Sequence, residues 1–130
     1  MGAFDTLAIA NTALGAHQPW LDAIADNIAN INTVEPTSGK AFQATYVVFK
    51  PDQNGGVDVA GYAKGDPNGR VVNSPNDPLA DKNGNVRLPD TDMSVEMGQL
   101  VMAQRGFQAS VQVTKTAQDT YASALQIGEK

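Results

Sequence analysis

The chain has 130 residues and a net charge of −5, enough for one domain with a modest core or for a small core with elongated helices. An acidic balance offers no basic footprint for nucleic acid or an anionic membrane surface, and the absence of cysteine excludes disulfides, thiolate metal sites and a cysteine nucleophile. No apolar stretch reaches the ~18 residues of a membrane span, and the first ten residues lack the basic start and apolar run of a secretory signal.

The first element is a helix over Phe4 to Ile31. Leu7, Leu14, Leu21 and Ile28 fall seven apart, with Ala10, His17, Ile24 and Ile31 three residues after each, which is a heptad pattern. Pro19 interrupts it by removing the bond to the Gly15 carbonyl, so the sequence predicts a kinked helix or two abutting segments. The asparagine-rich ending before Val34-Glu35-Pro36 predicts a stop between Asn30 and Thr33, with Asn32 suited to the left-handed conformation that releases a helix. Asn27 and Asn30 share a face. Either all three asparagines only terminate the helix, or the amides of Asn27 and Asn30 hydrogen-bond to adjoining helices.

Residues 34 to 93 have a different texture, dense in Asn-Gly and Gly-Gly turns. Phe42 to Lys50 is rich in β-branched and aromatic residues and predicts a strand, paired with Val57 to Tyr62 across Asn54-Gly55-Gly56. Shorter strands are predicted at Arg70 to Val72 and Val86 to Leu88. Asp81, Asn83, Asn85 and Asp92 imitate a calcium loop, but Val86 stands where that loop needs glycine and Asp92 where it needs glutamate. A tight turn explains the cluster.

The last element, Ser94 to Ile127, predicts one long helix with N-cap candidates at Asp90, Thr91 and Asp92. A 3-then-4 spacing runs Met97, Leu100, Gln104, Phe107, Val111, Thr114, Gln118, Tyr121 and Leu125, and no proline intervenes. At 1.5 Å per residue this helix is roughly 50 Å long, against roughly 36 Å for the diameter of a compact globule of this size. It must project or lie along something else.

Charge separates the helices from the middle. Phe4 to Ile31 carries only Asp5, Asp22 and Asp26, and Ser94 to Ile127 only Glu96, Arg105, Lys115 and Asp119. Outer faces of alanine, serine, threonine, glutamine and valine predict helices surrounded by other helices, beyond what one chain provides. The expected subunit interface therefore comprises Leu7, Leu14, Leu21, Ile24, Asn27, Ile28 and Asn30 at the first helix, and Leu100, Gln104, Phe107, Val111, Thr114, Gln118, Tyr121 and Leu125 at the second.

Catalytic chemistry is missing. His17 is the single histidine, at a seam position, and one histidine without cysteine cannot assemble a histidine-thiolate zinc site. There is no nucleophile elbow and no phosphate loop. No enzyme activity, cofactor or metal is expected.

Asp26-Asn27-Ile28-Ala29-Asn30-Ile31-Asn32-Thr33 resembles the N-terminal signature of the axial proteins of the bacterial flagellum. Asp77-Pro78-Leu79-Ala80-Asp81 with Gly84, Val86, Pro89 and Asp92, and then Arg105-Gly106-Phe107-Gln108-Ala109 with Thr116-Ala117, are similar to the proximal-rod type within that family. The sequence departs from the signature in the segment Val34 to Lys40, which intervenes before the aromatic Phe42, and in Pro19. The resemblance implies a non-enzymatic subunit of the basal body. It would pass unfolded through the flagellar export apparatus without a cleaved signal, then polymerise with itself and other rod and basal-body proteins into a hollow rod that transmits motor torque.

The expected fold is mainly α: long terminal helices (residues 1–33 and 94–130) forming a coiled-coil-like pair, with a small turn-rich β insertion (34–93). The competing function is a free-standing helical adaptor or secretion chaperone, which should show a charged outer face. This chain lacks one.

Overall fold

The computed structural model describes residues 2–129. Helix α1 spans Ala3–Ala29. It begins at Gly2, whose N–H donates to the Asp5 carboxylate at 3.0 Å, so an acid in the first turn satisfies one of the free amides there. Pro19 lies inside one continuous helix, not between two segments. Gly15, whose carbonyl the proline leaves without its helical partner, is solvent-exposed, so water can serve that carbonyl.

The end of α1 falls where the asparagines predict, by a different device. Asn30 caps it at φ −104° and ψ 6°, and its N–H reaches the Asp26 carbonyl at 3.1 Å. No non-glycine residue among those described has a positive φ, so the left-handed release expected at Asn32 does not occur. Instead the chain leaves through successive tight turns, Thr33 N–H to the Asn30 carbonyl closing the last at 3.0 Å.

Two small antiparallel sheets follow. Strands β2 (Thr45–Pro51) and β3 (Val57–Lys64) form a hairpin in register from Thr45 opposite Lys64 to Pro51 opposite Val57, with an irregularity at Val48/Phe49. Strands β1 (Glu35–Pro36), β4 (Arg70–Asn73) and β5 (Asn85–Leu88) form the second sheet in the order β1-β5-β4, around the buried Val86. Pro36 sits on an edge strand, where its missing N–H does no harm. The Asp81 carboxylate closes the turn before β5, accepting from the N–H groups of Asn83 and Asn85 and from the Thr37 hydroxyl at 2.8, 3.0 and 2.9 Å. The Asn85 N–H above all holds this carboxyl below its ordinary pKa. Among the described residues no group of acids or histidines is arranged to hold a metal.

Helix α2 (Met93–Gly128) starts at Asp92, whose carboxylate accepts from the N–H groups of Ser94 and Val95. It runs antiparallel to α1: Tyr121 stacks edge-on against Phe4, Gly106 meets His17, and Glu96 meets Asn27. At 36 and 27 residues the helices are about 54 and 40 Å long.

The expectation of a mainly α pair with a small insertion is overturned: 49% of residues are helical, 20% lie in strands, and the architecture is α+β. The reason is packing. The β2–β3 hairpin lies along α1, with the Phe49 ring edge-on to Trp20 at 5.6 Å and the Val57 N–H donating to the Thr12 hydroxyl at 3.1 Å. Helix α1 is the middle layer, between α2 and the hairpin.

Its fit with the hairpin tip is close. Gly56 has φ +97°, and any side chain there would collide with the Thr12 hydroxyl. Gly56→Ala should therefore cost about 1 to 3 kcal/mol, read as a lowered urea midpoint, and Thr12→Ala should recover part of that loss.

Candidate assembly interface

The seam between the helices is narrow because small residues line it. On α1 it is the track of Ala10, His17 and Ile24, continued by Ile31 just past the helix end, that faces inward, with Leu7, Leu14, Leu21 and Ile28 half-buried beside it. On α2 the deepest positions are Glu96, Ala103 and Ala117, flanked by half-buried Leu100, Phe107, Thr114 and Tyr121. Met97, Gln104, Val111, Gln118 and Leu125, the other half of the predicted seam, are exposed. A heptad identifies tracks of residues that share a side. Which track is covered depends on volume, and at Gly106 a side chain would strike the His17 ring, so α2 presents its small residues to α1.

At one end of this seam sits a buried polar junction. Asn27 and Glu96 are each 1% exposed. The Asn27 amide accepts from the Thr45 N–H at 2.8 Å and donates to the Thr45 carbonyl at 3.0 Å, acting as a strand partner for the first residue of β2. It also donates to the Glu96 carboxylate at 3.2 Å. One side chain thus joins α1, β2 and α2. Glu96 lies in the first turn of α2, where the helix dipole favours an acidic group. Burial, and then the Glu96 carboxylate, push the nearby Tyr46 hydroxyl above its ordinary pKa.

The remaining asparagines act locally. Asn30 donates to the Asp26 carbonyl and carboxylate and accepts from the Thr33 hydroxyl, and Asn32 is exposed. Of the predicted interface residues, Ile24 and Asn27 are buried within the chain, and Gln104, Val111, Gln118 and Leu125 are freely exposed. Leu7, Leu14, Leu21, Ile28, Asn30, Leu100, Phe107, Thr114 and Tyr121 are half-buried.

The sequence reading missed a further set of exposed apolar side chains on α2. Met102 is 58% exposed and Ile127 77%, and Val95, Val101 and Val113 are similarly bare. Arg105, Lys115 and Asp119 fall on one outer stripe opposite α1 by their spacing. Between that stripe and α1 the flanks of α2 carry little charge, Lys115 standing in line with Met97 at the edge of one of them. Met102, Ile127, Val95, Val101 and Val113 lie off the heptad track read from the sequence and share no period of their own, so nothing in the sequence singled them out.

A long antiparallel helix pair with bare apolar flanks has the form of a protein that completes its packing against other chains. The chain belongs to the flagellar basal-body rod protein family, and it is a structural rod subunit, not an enzyme. The sequence profile of the flagella basal body rod protein family matches residues 7–37, and that of the flagellar basal body rod FlgEFG protein C-terminal region matches residues 82–127. The flagellar basal-body rod protein FlgC of Yersinia enterocolitica is 35% identical over 99% of this chain and 100% of its own length. The FlgC proteins of Salmonella typhimurium and Borreliella burgdorferi are 33% and 28% identical, over 99% and 98% of this chain and 100% and 98% of theirs. Nothing in these likenesses favours a free-standing adaptor or chaperone.

Proposed function

We propose that this subunit polymerises through its terminal helices into the proximal rod of the flagellar basal body, encloses the export channel and carries motor torque. The observation that carries this reading is the uncovered apolar flanks of α2, which α1 leaves bare along a 36-residue helix. Residues 1–33 and 94–130 supply the assembling core, and 34–93 brace it through the hairpin on α1. Within the interface, the half-buried and exposed members of the predicted set meet neighbouring rod and basal-body proteins. Asn27 and Ile24 serve indirectly, by fixing the shape of the subunit.

The chain reaches the rod through the flagellar export apparatus. Family membership supports this route, and none of the described helices is long and apolar enough to cross a membrane. A strain of the source bacterium lacking this chain should be non-motile, with basal bodies that stop short of a complete rod, and the wild-type chain supplied in trans should restore both. Complete rods in the deletion strain would overturn the reading.

A further inference from the structure

Asn-Gly occurs three times in the chain, at 54–55, 68–69 and 83–84, and each pair ends a turn that begins with an aspartate: Asp52, Asp66 and Asp81. In every copy the carboxylate accepts from the asparagine N–H, at 3.3, 2.8 and 2.8 Å, and the glycine N–H donates to the aspartate carbonyl, at 3.1, 3.2 and 2.9 Å. The sequence marks the three alike. Their surroundings differ. Asn68 is tied through its side chain, whose amide donates to Asp66 at 3.0 Å, and through its carbonyl, which accepts from Arg87. Gly69 beside it is packed so closely that a side chain would collide with Ala41 and the Leu88 carbonyl. Around Asn83 the main chain is fixed: its carbonyl accepts from the Asn73 amide at 3.3 Å and the Gly84 carbonyl from the Ser74 N–H at 2.7 Å. Asn54 stands at the exposed tip of the β2–β3 hairpin, next to the exposed Gly55. Among the described residues its side chain takes no hydrogen bond, and neither its carbonyl nor that of Gly55 accepts one.

We propose that Asn54 is a site of spontaneous covalent modification, converted to aspartate and isoaspartate with water as the only co-reactant. The Gly55 nitrogen, once its proton has passed to hydroxide, attacks the Asn54 Cγ. A C–N bond forms, the side-chain nitrogen takes a proton from water and leaves as ammonia, and a five-membered succinimide ring remains. Water then opens the ring at either carbonyl. Attack at Cγ breaks the new C–N bond and gives aspartate, whereas attack at the main-chain carbonyl breaks the original peptide bond and leaves Gly55 joined through Cγ, as isoaspartate. Either route exchanges ammonia for water and adds one negative charge when the new carboxyl ionises. Glycine favours the ring because no Cβ shields its nitrogen, and an exposed tip held by few bonds opens far more often than a turn tied at several points.

Isoaspartate has a consequence that aspartate lacks. It routes the backbone through the Asn54 Cβ and so lengthens the tip by one methylene, two residues before Gly56, where there is no room against Thr12. The next residue, Val57, donates its N–H to the Thr12 hydroxyl at 3.1 Å. A longer tip cannot keep both contacts in register, so the isoaspartate form lifts the hairpin from α1. Trp20 reports this, because it is the single tryptophan and meets the Phe49 ring of the hairpin at 5.6 Å.

The test incubates the purified full chain in mildly alkaline buffer and follows each Asn-Gly pair by peptide mapping with mass spectrometry, isoaspartate being scored by enzymatic carboxyl methylation. In the folded chain Asn54 should be converted at least about fivefold faster than Asn68 and Asn83. In guanidinium chloride the three rates should converge within about twofold. Equal rates in the folded chain would overturn the assignment, as would a lead of Asn54 that persists after unfolding, since the fold would then not be its cause. Two variants read the consequence. Asn54→Gln closes the larger six-membered ring far more slowly, and freshly made Asn54→Asp carries the added charge without the added methylene. Aged wild type should show shifted Trp20 emission and a lower urea midpoint, while aged N54Q and fresh N54D should match fresh wild type. Aged wild type that is unchanged, or either variant shifting as far as aged wild type, would show that isoaspartate at this position does not lift the hairpin.

Discussion

Asn27→Leu should destabilise the subunit by about 3 to 5 kcal/mol, a large share of the 5 to 15 kcal/mol typical of a domain. The substitution strands the N–H and carbonyl of Thr45 and leaves the buried Glu96 carboxylate without its Asn27 donor. Each unsatisfied group costs about 1 to 3 kcal/mol, and the better helix propensity of leucine returns only about 0.5. The effect is therefore specific in sign: intrinsic helicity rises while the urea midpoint falls. Asn30→Leu is the matched control, because its hydrogen bonds are confined to residues 26–33 and lie near solvent, so it should cost under about 1 kcal/mol. Equal and small losses in the two variants would show that Asn27 is not the joint between the three elements. Assembly should fail in Asn27→Leu even though no interface side chain has changed, since the hairpin and α2 lose their shared anchor on α1.

Gly106→Leu should open the helix pair. A Cβ at this position already meets the His17 ring, and the ring is held in place because His17 Nδ1–H donates to the Ala13 carbonyl at 2.6 Å. Either that hydrogen bond breaks or α2 moves away from α1 along a seam of alanines that tolerates little displacement. Overpacking of this kind costs about 1 to 3 kcal/mol, more than the ~0.8 kcal/mol gained by removing a glycine from a helix. The double variant His17→Ala with Gly106→Leu makes room for the new side chain, so its stability should exceed the sum of the single effects by at least about 1 kcal/mol. Strict additivity in thermal unfolding would mean that the two residues do not set the helix spacing. In cells the single variant should reduce motility, and the double variant should recover part of it.

These two sites show where local reasoning reaches its end. The extents of both helices, the Asp92 cap, the strand pairs on either side of Asn54-Gly55-Gly56, and the low charge of the terminal segments were all legible in the chain, because propensity, capping and turn chemistry act between residues a few positions apart. The family was legible too, through residues 26–33 and the stretches around Asp81 and Gly106. Only the tertiary structure decided the phase of the α2 seam. Met97 and Glu96 are neighbours on tracks of equal period, and what selects between them is how closely Gly106 and Ala103 let α2 approach α1. Only the tertiary structure, likewise, placed the hairpin on α1 and made the fold α+β, since nothing near Phe49 in the chain reveals that its ring will meet Trp20. Asn27 is the sharpest case. Its partners lie 18 and 69 residues away, so its sequence neighbourhood showed a helix ending while its hydrogen bonds joined three elements. Sequence periodicity determines which residues share a side, but volume and hydrogen-bond geometry across long loops determine what that side will touch.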